Sequence, residues 1–442
     1  MSTAPDKTGA FFMLFRDWIK YLRGSGQMRT VENAVSAQME LTAVVARECR
    51  RNDGGQALLF NNVQGCTTPC IFNLYGSARR MNYILSGGDG ISVVQRLRQL
   101  APPVRGYHNF CTSLAATSAP RLLPWSEELR PGGGLHELPH IKFWPGDGGC
   151  YLSQAVVVSR SLAGDWVNYG VYRVQLYDDC SAAVNFLPGS DGERQLQEYV
   201  RAGQPMPVAI ILGCDPALLF AAGYPLPPCC SEMQLANFIN QDELAVTLSP
   251  AAKLPIPRHC EYVLEGRIAV DATRPDGPCA NHQGFYTPSA QRPRFDLIQL
   301  WRRDDAIYPA TLIGPPPGET GYFAAVYAQM TAELLCQDCP ALLELVMPEQ
   351  VYFSGCAIAR VKTCADLAQT RSILLAHPLL QRLKLLVIVD EAVDVHQPLQ
   401  VLWRVLGQDL SRICTNGEGR VVVDATAWVE QGRVRVEQMP VR

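Results

Sequence analysis

Residues 167–178 read VNYGVYRVQLYD. β-Branched and aromatic residues dominate the run, which is the composition of a strand rather than a helix. Two side chains stand out from it. Asn168 and Arg173 are five apart, so on one unbroken ideal strand they point to opposite faces. An arginine inside such a segment is rarely buried without an anion, and its planar fork fits a carboxylate or a phosphate. The same strand character recurs in YLSQAVVVSR (151–160), PVAIILG (207–213), CEYVLEGRIAVD (260–271) and DAIYPATLIG (305–314). One helical stretch, GERQLQEYVRAG (192–203), interrupts them. Residues 141–313 therefore read as a β-dominated middle domain.

The flanks differ. Residues 12–100 mix helical periodicity (34–50 and 91–100) with short strand-like runs, ALLFNN (57–62) and CIFNLYG (70–76). A Pro- and Gly-rich stretch, PRLLPWSEELRPGGGLHELP (120–139), reads as a boundary. After GPPPGETGY (314–322), a helical segment over 323–335 opens a βαβ-like tail, with LKLLVIVDEAVDV (383–395) as its buried parallel strand. The chain is thus α+β and α/β in class. Its expected domains are an N-terminal α/β domain over 1–110, a central β domain over 111–318, and a C-terminal α/β domain over 319–442.

Bulk composition excludes several functions. The 442 residues are 48% hydrophobic and 18% charged, with a formal net charge of −3. That is an ordinary globular balance, without the basic run that a nucleic-acid backbone would require. FFMLFRDWIKYLRGSG (11–26) has charges interleaved at helical spacing, so it reads as an amphipathic helix and not a signal peptide. Apolar runs such as LLVIV (385–389) are far too short to span a bilayer. Sixteen cysteines without a secretory leader imply a reducing cytoplasm, where most act as small core residues. Structural zinc would need the Cys336/Cys339 and Cys66/Cys70 pairs brought together.

Some motifs are decoys. HELPH (136–140) matches a zinc-protease pattern, but Pro139 and the preceding PGGG oppose the helix that this chemistry needs. Neither a G-x-x-x-x-G-K-[ST] phosphate loop nor a G-x-G-x-x-G turn after a strand is present. Glu261 and Glu265 share one strand face by parity and read as a solvated face. What remains is Asn168, Arg173, Glu232 at the end of GYPLPPCCSE (223–232), and the loop RPDGPCANHQGFY (274–286), headed by Asp276 and carrying Asn281.

Nine stretches in order give these residues a context. They run from RDWIKYLRGSGQM (16–28) through GQALLFNNVQG, IFNLYGSARRM, LPHIKFWPGDGGCYLS, NYGVYR, LGCDPALLFAAGYPLP, DAIYPATLIGPPP and IVDEAVDV to VVDATAW (422–428). Over about residues 12–428 the chain resembles the UbiD family of decarboxylases. The resemblance implies a central split β-barrel that binds prenylated FMN between two α/β parts. It implies a divalent cation (Mn²⁺ or Mg²⁺) and K⁺ at the flavin phosphate, with Asn, His and Glu as ligands of the divalent ion. Asn168 and Glu232 match the first and last, and Asn185 stands where the family has its His. Tyr169, Gly170, Val171, Tyr172 and Arg173 fall on the cofactor-binding strand, and Gly223, Tyr224 and Pro225 on the loop that packs on the isoalloxazine.

By the same resemblance Arg173 grips the substrate carboxylate, and two acids complete the site. Asp276 takes the place of the first acid. Asn281 takes the place of the second, the proton donor, and an amide cannot donate a proton near neutral pH. His282, Tyr286 or a water could substitute. The implied activity is non-oxidative (de)carboxylation of an aromatic, heteroaromatic or α,β-unsaturated acid. The alternatives are a catalytically impaired subunit or scaffold that partners an active homologue, and a flavin-binding enzyme with a different outcome. A prenyl-FMN synthase is the implied cofactor supplier, and a homo-oligomer (dimer or hexamer) the implied assembly. The family's clasping C-terminal helix is expected to be absent after VVDATAW.

Overall fold

A computed structural model describes residues 14–86, 92–100, 104, 106–227, 230–241, 244–348, 355–363, 366–409, 413–415 and 419–426. The expectation for the segment after VVDATAW lies outside these residues. The chain divides into two compact units, Met1–Gln99 with His108–Phe323, and Leu100–Tyr107 with Ala324–Arg442.

The first unit is organised by a nine-stranded sheet whose pairings are all antiparallel. Its order is Val167–Val171, Val156–Arg160, Met206–Leu212, Tyr262–Asp276, Ala290–Arg303, Ser181–Val184, Val174–Leu176 and Cys150–Leu152, with Leu129–Gly132 added to Ala290–Arg303. Val167–Val171 and Val174–Leu176 lie near opposite ends of that order, yet only Tyr172 and Arg173 separate them in sequence. A two-residue link can join two distant strands only if the sheet curls until its ends approach. This is the split barrel expected from the sequence. It also shows why Arg173 is special: it sits in the seam. Parity counting from Asn168 does not carry across this break.

The N-terminal sheet runs Met28–Val31, Ala57–Phe60, Cys70–Phe72, Tyr308–Ala310. Its last strand follows the barrel in the chain and pairs parallel with Cys70–Phe72. Side chains of both sheets share one core, in which Leu58, Phe60 and Phe72 join Val157, Ile210, Leu264 and Phe295.

The second unit has the sheet order Leu342–Val346, Cys356–Val361, Leu385–Asp390, Val421–Ala425, Ile413–Thr415. The inner three strands are parallel and the outer two antiparallel to them. LLVIVD is the central strand, and alternate residues feed the two faces. Leu386 and Ile388 pack with Leu374 of one helix, Val387 and Val389 with Val401 of another. A strand buried on both faces has to read as continuously apolar, as this one does.

Several local expectations change. The helical pattern over 34–50 resolves into a short strand, Val35–Ser36, and the helix Glu40–Cys49. Two helices in the middle region escaped pattern reading, Pro216–Ala221 and Glu232–Ile239. The first has all six side chains buried, so it shows no polar face and no 3.6-residue period. HELPH forms only a single 3₁₀ turn, Leu135–Glu137. Glu261 and Glu265 are fully buried, not solvated. Arg16 reaches Glu261 from the first helix (2.6 Å), while Glu265 accepts the Trp301 indole N–H (2.7 Å) and the Ala251 and Ala252 backbone N–H groups. Partners more than ten residues away in sequence thus reverse the default that carboxylates face water.

Candidate active site

Three strands and one helix converge on the seam. Asn168 is buried on the edge strand Val167–Val171, opposite Ser159, whose hydroxyl accepts from its amide (3.4 Å). The next residue ties in the helix. The Tyr169 N–H donates to Glu232 Oε2 (3.0 Å), which brings Glu232 alongside Asn168. Glu232 is the first residue of Glu232–Ile239, whose cap Ser231 and Gln234 form a reciprocal capping box. The carboxylate therefore sits at a positive helix end. It is nevertheless 94% buried, among the described residues no cationic side chain pairs with it, and burial pushes its pKa up to about 8 against the hydrogen bonds from its own and the Tyr169 backbone.

Tyr172 packs from this corner onto Phe186, the residue after Asn185. Its hydroxyl interacts with Asn168 and accepts from the Gly192 N–H (3.1 Å), and its ring meets Phe186 at 4.9 Å. A Cβ at Gly170 would fall 2.3 Å from that ring, so only glycine lets Tyr172 fold back over the strand. The Asn185 N–H donates to the Arg173 carbonyl (3.1 Å). Its side-chain Oδ1 is buried and accepts no hydrogen bond. A buried amide oxygen without a donor costs about 1–3 kcal/mol, which a bound ion or water would offset. Asn168, Asn185 and Glu232 thus offer hard oxygen donors, two of them amide carbonyls and one a carboxylate, which suits a hard cation. Among the described residues no group of three or more His, Cys, Asp or Glu is placed to hold a metal, so a cation here depends on the amides.

The second corner is closed. Arg173 Nε lies 3.1 and 3.2 Å from the two Asp276 oxygens, and Nη2 also donates to Oδ2. Asp276 is fully buried and Arg173 nearly so. Burial works against the arginine charge, but the hydrogen bonds to Asp276 together with the charges of Asp276 and its neighbours outweigh it and hold its pKa above the ordinary value. Nη1 is left for another anion. The guanidinium also lies over the Tyr151 ring, 5.9 Å from its centre.

Asp276 is the last residue of a 15-residue strand, and RPDGPCANHQGFY is a hairpin rather than an open loop: Cys279–Ala280 pair with Tyr286–Thr287. Asn281 starts the turn between them. Its Oδ1 accepts from the Gln283 N–H (2.9 Å) and the Phe285 N–H (3.4 Å), and its Nδ2 donates to Thr287 Oγ1 (3.3 Å). This is an Asx-type turn, the local job for which Asn is well suited. His282 is partly buried, and burial pushes its imidazole down to about 4 although an interaction with the Gly314 backbone opposes this. The ring is therefore neutral near pH 7.

Sequence reading missed the buttress under this hairpin. Gln175 Oε1 accepts from the Tyr151 hydroxyl (2.9 Å) and the Gly277 N–H (2.8 Å), and the Tyr151 hydroxyl also donates to the Pro278 carbonyl (3.0 Å). Buried Asp147 accepts from the Ala280 N–H (2.9 Å). A Cβ at Gly148 would come within 2.3 Å of the Gly277 carbonyl, so PGDGG (145–149) lies flush against the turn. Its three glycines were the available signal. Gly223, Tyr224 and Pro225 lie on the connection from Pro216–Ala221 to the helix of Glu232, with Tyr224 buried and Gly223 exposed.

This geometry can be set beside known proteins. Residues 19–101, 124–316 and 321–408 match the N-terminal, Rift-related and C-terminal domains of 3-octaprenyl-4-hydroxybenzoate carboxy-lyase. The chain belongs to the UbiD family. The chain is also similar to uncharacterized proteins of Archaeoglobus fulgidus (28% identical, 95% of this chain and 93% of that one) and Aquifex aeolicus (29%, 95% and 93%). The fold is shared with an evolved dimeric form of the UbiD-class enzyme HmfF from Pelotomaculum thermopropionicum, solved with prFMN (TM-score 0.79, 20% identity, 96% and 97% covered). It is equally shared with vanillic acid decarboxylase of Sedimentibacter hydroxybenzoicus (TM-score 0.80, 20%, 97% and 95%). Among the described residues no helix is long and apolar enough to cross a membrane.

Proposed function

We propose that this UbiD protein is a prenylated-FMN-dependent carboxy-lyase acting on an aromatic, heteroaromatic or α,β-unsaturated carboxylic acid. The observation that carries the reading is Arg173 in the barrel seam, held from behind by a fully buried Asp276 with one arm of its fork left over. With Nε and Nη2 engaged by Asp276, the remaining arm can donate a charge-assisted hydrogen bond to a substrate carboxylate.

Asn168, Asn185 and Glu232 would hold a divalent cation, Mg²⁺ or Mn²⁺, and with K⁺ it would tie down the flavin phosphate. The unsatisfied Asn185 Oδ1 and the uncompensated Glu232 carboxylate fit that role. Tyr169, Gly170, Val171 and Tyr172 would line the phosphate side, and Gly223, Tyr224 and Pro225 the ring side. Prenylated FMN, when bound, supplies the electrophilic ring chemistry for loss of carbon dioxide. The chain's part is to bind and orient: Arg173 fixes the carboxylate, and Asp276 keeps the guanidinium in one position. Neither Asn281 nor neutral His282 can hand a proton to the product carbon near pH 7. We assign that proton to water, with the Tyr286 hydroxyl, which accepts from the Gly146 N–H (3.0 Å), as a side-chain candidate on the hairpin. A prenyl-FMN synthase is the partner that would supply the cofactor, in the cytoplasm.

One observation favours a second reading, a non-catalytic subunit: the Asn281 side chain is tied into its own turn. Co-expression with a prenyl-FMN synthase tests both. The purified protein should carry the prenylated flavin by mass and absorbance, and should release carbon dioxide from some member of a panel of unsaturated and aromatic acids. A colourless, phosphate-free protein would sink the enzyme reading. Flavin bound with silence across the panel would favour the subunit.

A further inference from the structure

Two cysteines meet within one loop of the N-terminal region, GCTTPC (65–70). Gly65 takes a left-handed φ of 79°, and the Cys66 N–H donates back to the Val63 carbonyl (3.0 Å). Bends at Thr67 and Thr68 then return the chain to the strand Cys70–Phe72. The loop is pinned at its far end, where the Pro69 carbonyl accepts the Tyr308 N–H (2.8 Å). Cys70 is fully buried, and its thiol turns back over the loop toward the Thr68 carbonyl (3.7 Å). That orientation brings it onto Cys66, and the two thiols share a hydrogen bond. Cys66 is only half-buried, so it is the member of the pair that solvent reaches.

We propose that Cys66 and Cys70 form a reversible, peroxide-driven disulfide, with Cys66 as the attacking thiol and Cys70 as the resolving one. The division of labour follows from their surroundings. The hydrogen bond from Cys70 and the His140 backbone N–H both favour a Cys66 thiolate and outweigh its partial burial, so its pKa is pushed down to about 7. The same hydrogen bond and complete burial push the Cys70 thiol well up, so it keeps the proton it donates. The thiolate is the form that attacks, and at Cys66 it is populated near neutral pH.

The steps balance. The Cys66 thiolate attacks one peroxide oxygen, the O–O bond breaks, and hydroxide leaves and takes a proton from solvent. Cys66 is now a sulfenic acid. The Cys70 sulfur attacks the Cys66 sulfur, the S–O bond breaks, and the departing hydroxide becomes water with the Cys70 proton. Two thiols have given two electrons to one peroxide, and a dithiol reductant reverses the change by exchange.

Other cysteines lack one part of this arrangement. Cys111 and Cys230 also share a hydrogen bond, but both are buried away from any solute. Cys180 is exposed, but its thiol is held up by the hydrogen bond to Asp178 and by that residue's charge. The loop pair joins a reachable thiolate to a partner in contact, and it does not depend on the decarboxylase reading.

The test takes the full chain, reduced with a dithiol and freed of it, through hydrogen peroxide at neutral pH, then alkylation and trypsin. Cys66 and Cys70 are the two cysteines of one tryptic peptide, residues 52–79. That peptide should become lighter by two hydrogens and resist alkylation, and added dithiol should restore it. Cys66 should react at least about tenfold faster than the exposed Cys180. Cys70→Ala should leave Cys66 reactive but stop it at the sulfenic acid, which a cyclic dione captures. Cys66→Ser, at the half-buried position and nearly isosteric, should keep the melting temperature and leave Cys70 unoxidised. A peptide 52–79 that stays fully alkylated would overturn the proposal. So would faster oxidation of Cys180, or a Cys66 linked instead to the neighbouring Cys150.

Discussion

The two corners of the seam are opposites. Around Asn168, Asn185 and Glu232 the protein leaves polar atoms unanswered: an amide oxygen without a donor and a buried carboxylate without a cation. Around Arg173, Asp276 and Asn281 nearly every polar atom is answered by another one a few ångströms away. Unanswered groups are costly in a folded protein and persist where a ligand completes them. The first corner carries buried groups that a ligand would complete. The second holds one arginine still, and Asn281 is part of a turn.

The largest effect should come from breaking the closed corner. Arg173→Ala strands a fully buried Asp276, which should lower stability by about 3–5 kcal/mol in addition to removing carboxylate binding. Loss of activity in that variant alone is therefore ambiguous. Adding Asp276→Asn should restore most of the melting temperature while turnover stays lost, and Arg173→Lys should rescue poorly because a point charge lacks the fork. Turnover that returns with stability in the double variant would reduce Arg173 to a structural ion pair.

The open corner should respond to pH. Below about 4.5 Glu232 is protonated in both folded and unfolded chains; between 4.5 and about 8 only the unfolded chain ionises it. The cation-free protein should therefore lose stability as pH rises through that window, with no further change from this group above it. Glu232→Gln should flatten the slope and stabilise the cation-free protein at pH 8 by roughly 2–4 kcal/mol, while abolishing stabilisation by added Mg²⁺ or Mn²⁺. Thermal melts with and without cation read both. An unchanged slope would mean that Glu232 is neutralised some other way.

How far the sequence revealed these corners depends on how local each feature is. The strand of Asn168, the buried strand LLVIVD and the helix after residue 190 follow from periodicity within ten residues. The seam does not, because it depends on strands at opposite ends of a sheet meeting across Tyr172 and Arg173. Glu261 and Glu265 were misread for the same reason, since the groups that neutralise them come from residues 16, 251, 252 and 301. The buttress of Asp147, Tyr151 and Gln175 touches the hairpin more than 100 residues later, and nothing in PGDGGCY alone says what it will meet. Nothing in the loop's composition said that the Asn281 amide would cap a turn.

A smaller effect is expected at Asn185. Asn185→His restores a nitrogen donor where two oxygen-donating neighbours remain, so preference should move from Mg²⁺ toward Mn²⁺ and softer transition ions by about tenfold or more. Competition titrations on the flavin-free protein measure this without any turnover. If the histidine variant binds every cation less well than the wild type, Asn185 does not face the ion, and its orphaned oxygen has another explanation.

The smallest effect should be that of Asn281→Asp, and it separates the two corners most sharply. A carboxylate can accept the same Gln283 and Phe285 N–H groups, and only the donation to Thr287 Oγ1 is lost, so stability should move by no more than about 1 kcal/mol. Because the new acid accepts two N–H groups of its own turn, which favour its ionised form, it should deliver no proton. The rate should then change by less than about threefold, with deuterium at the product carbon still drawn from solvent. A decayed decarboxylase behaves differently: there the substitution returns a positioned general acid, worth about 10²–10⁴ in rate. A gain of that size over a near-silent wild type would show that the turn opens when substrate binds, and that the closed corner is as ready to receive as the open one.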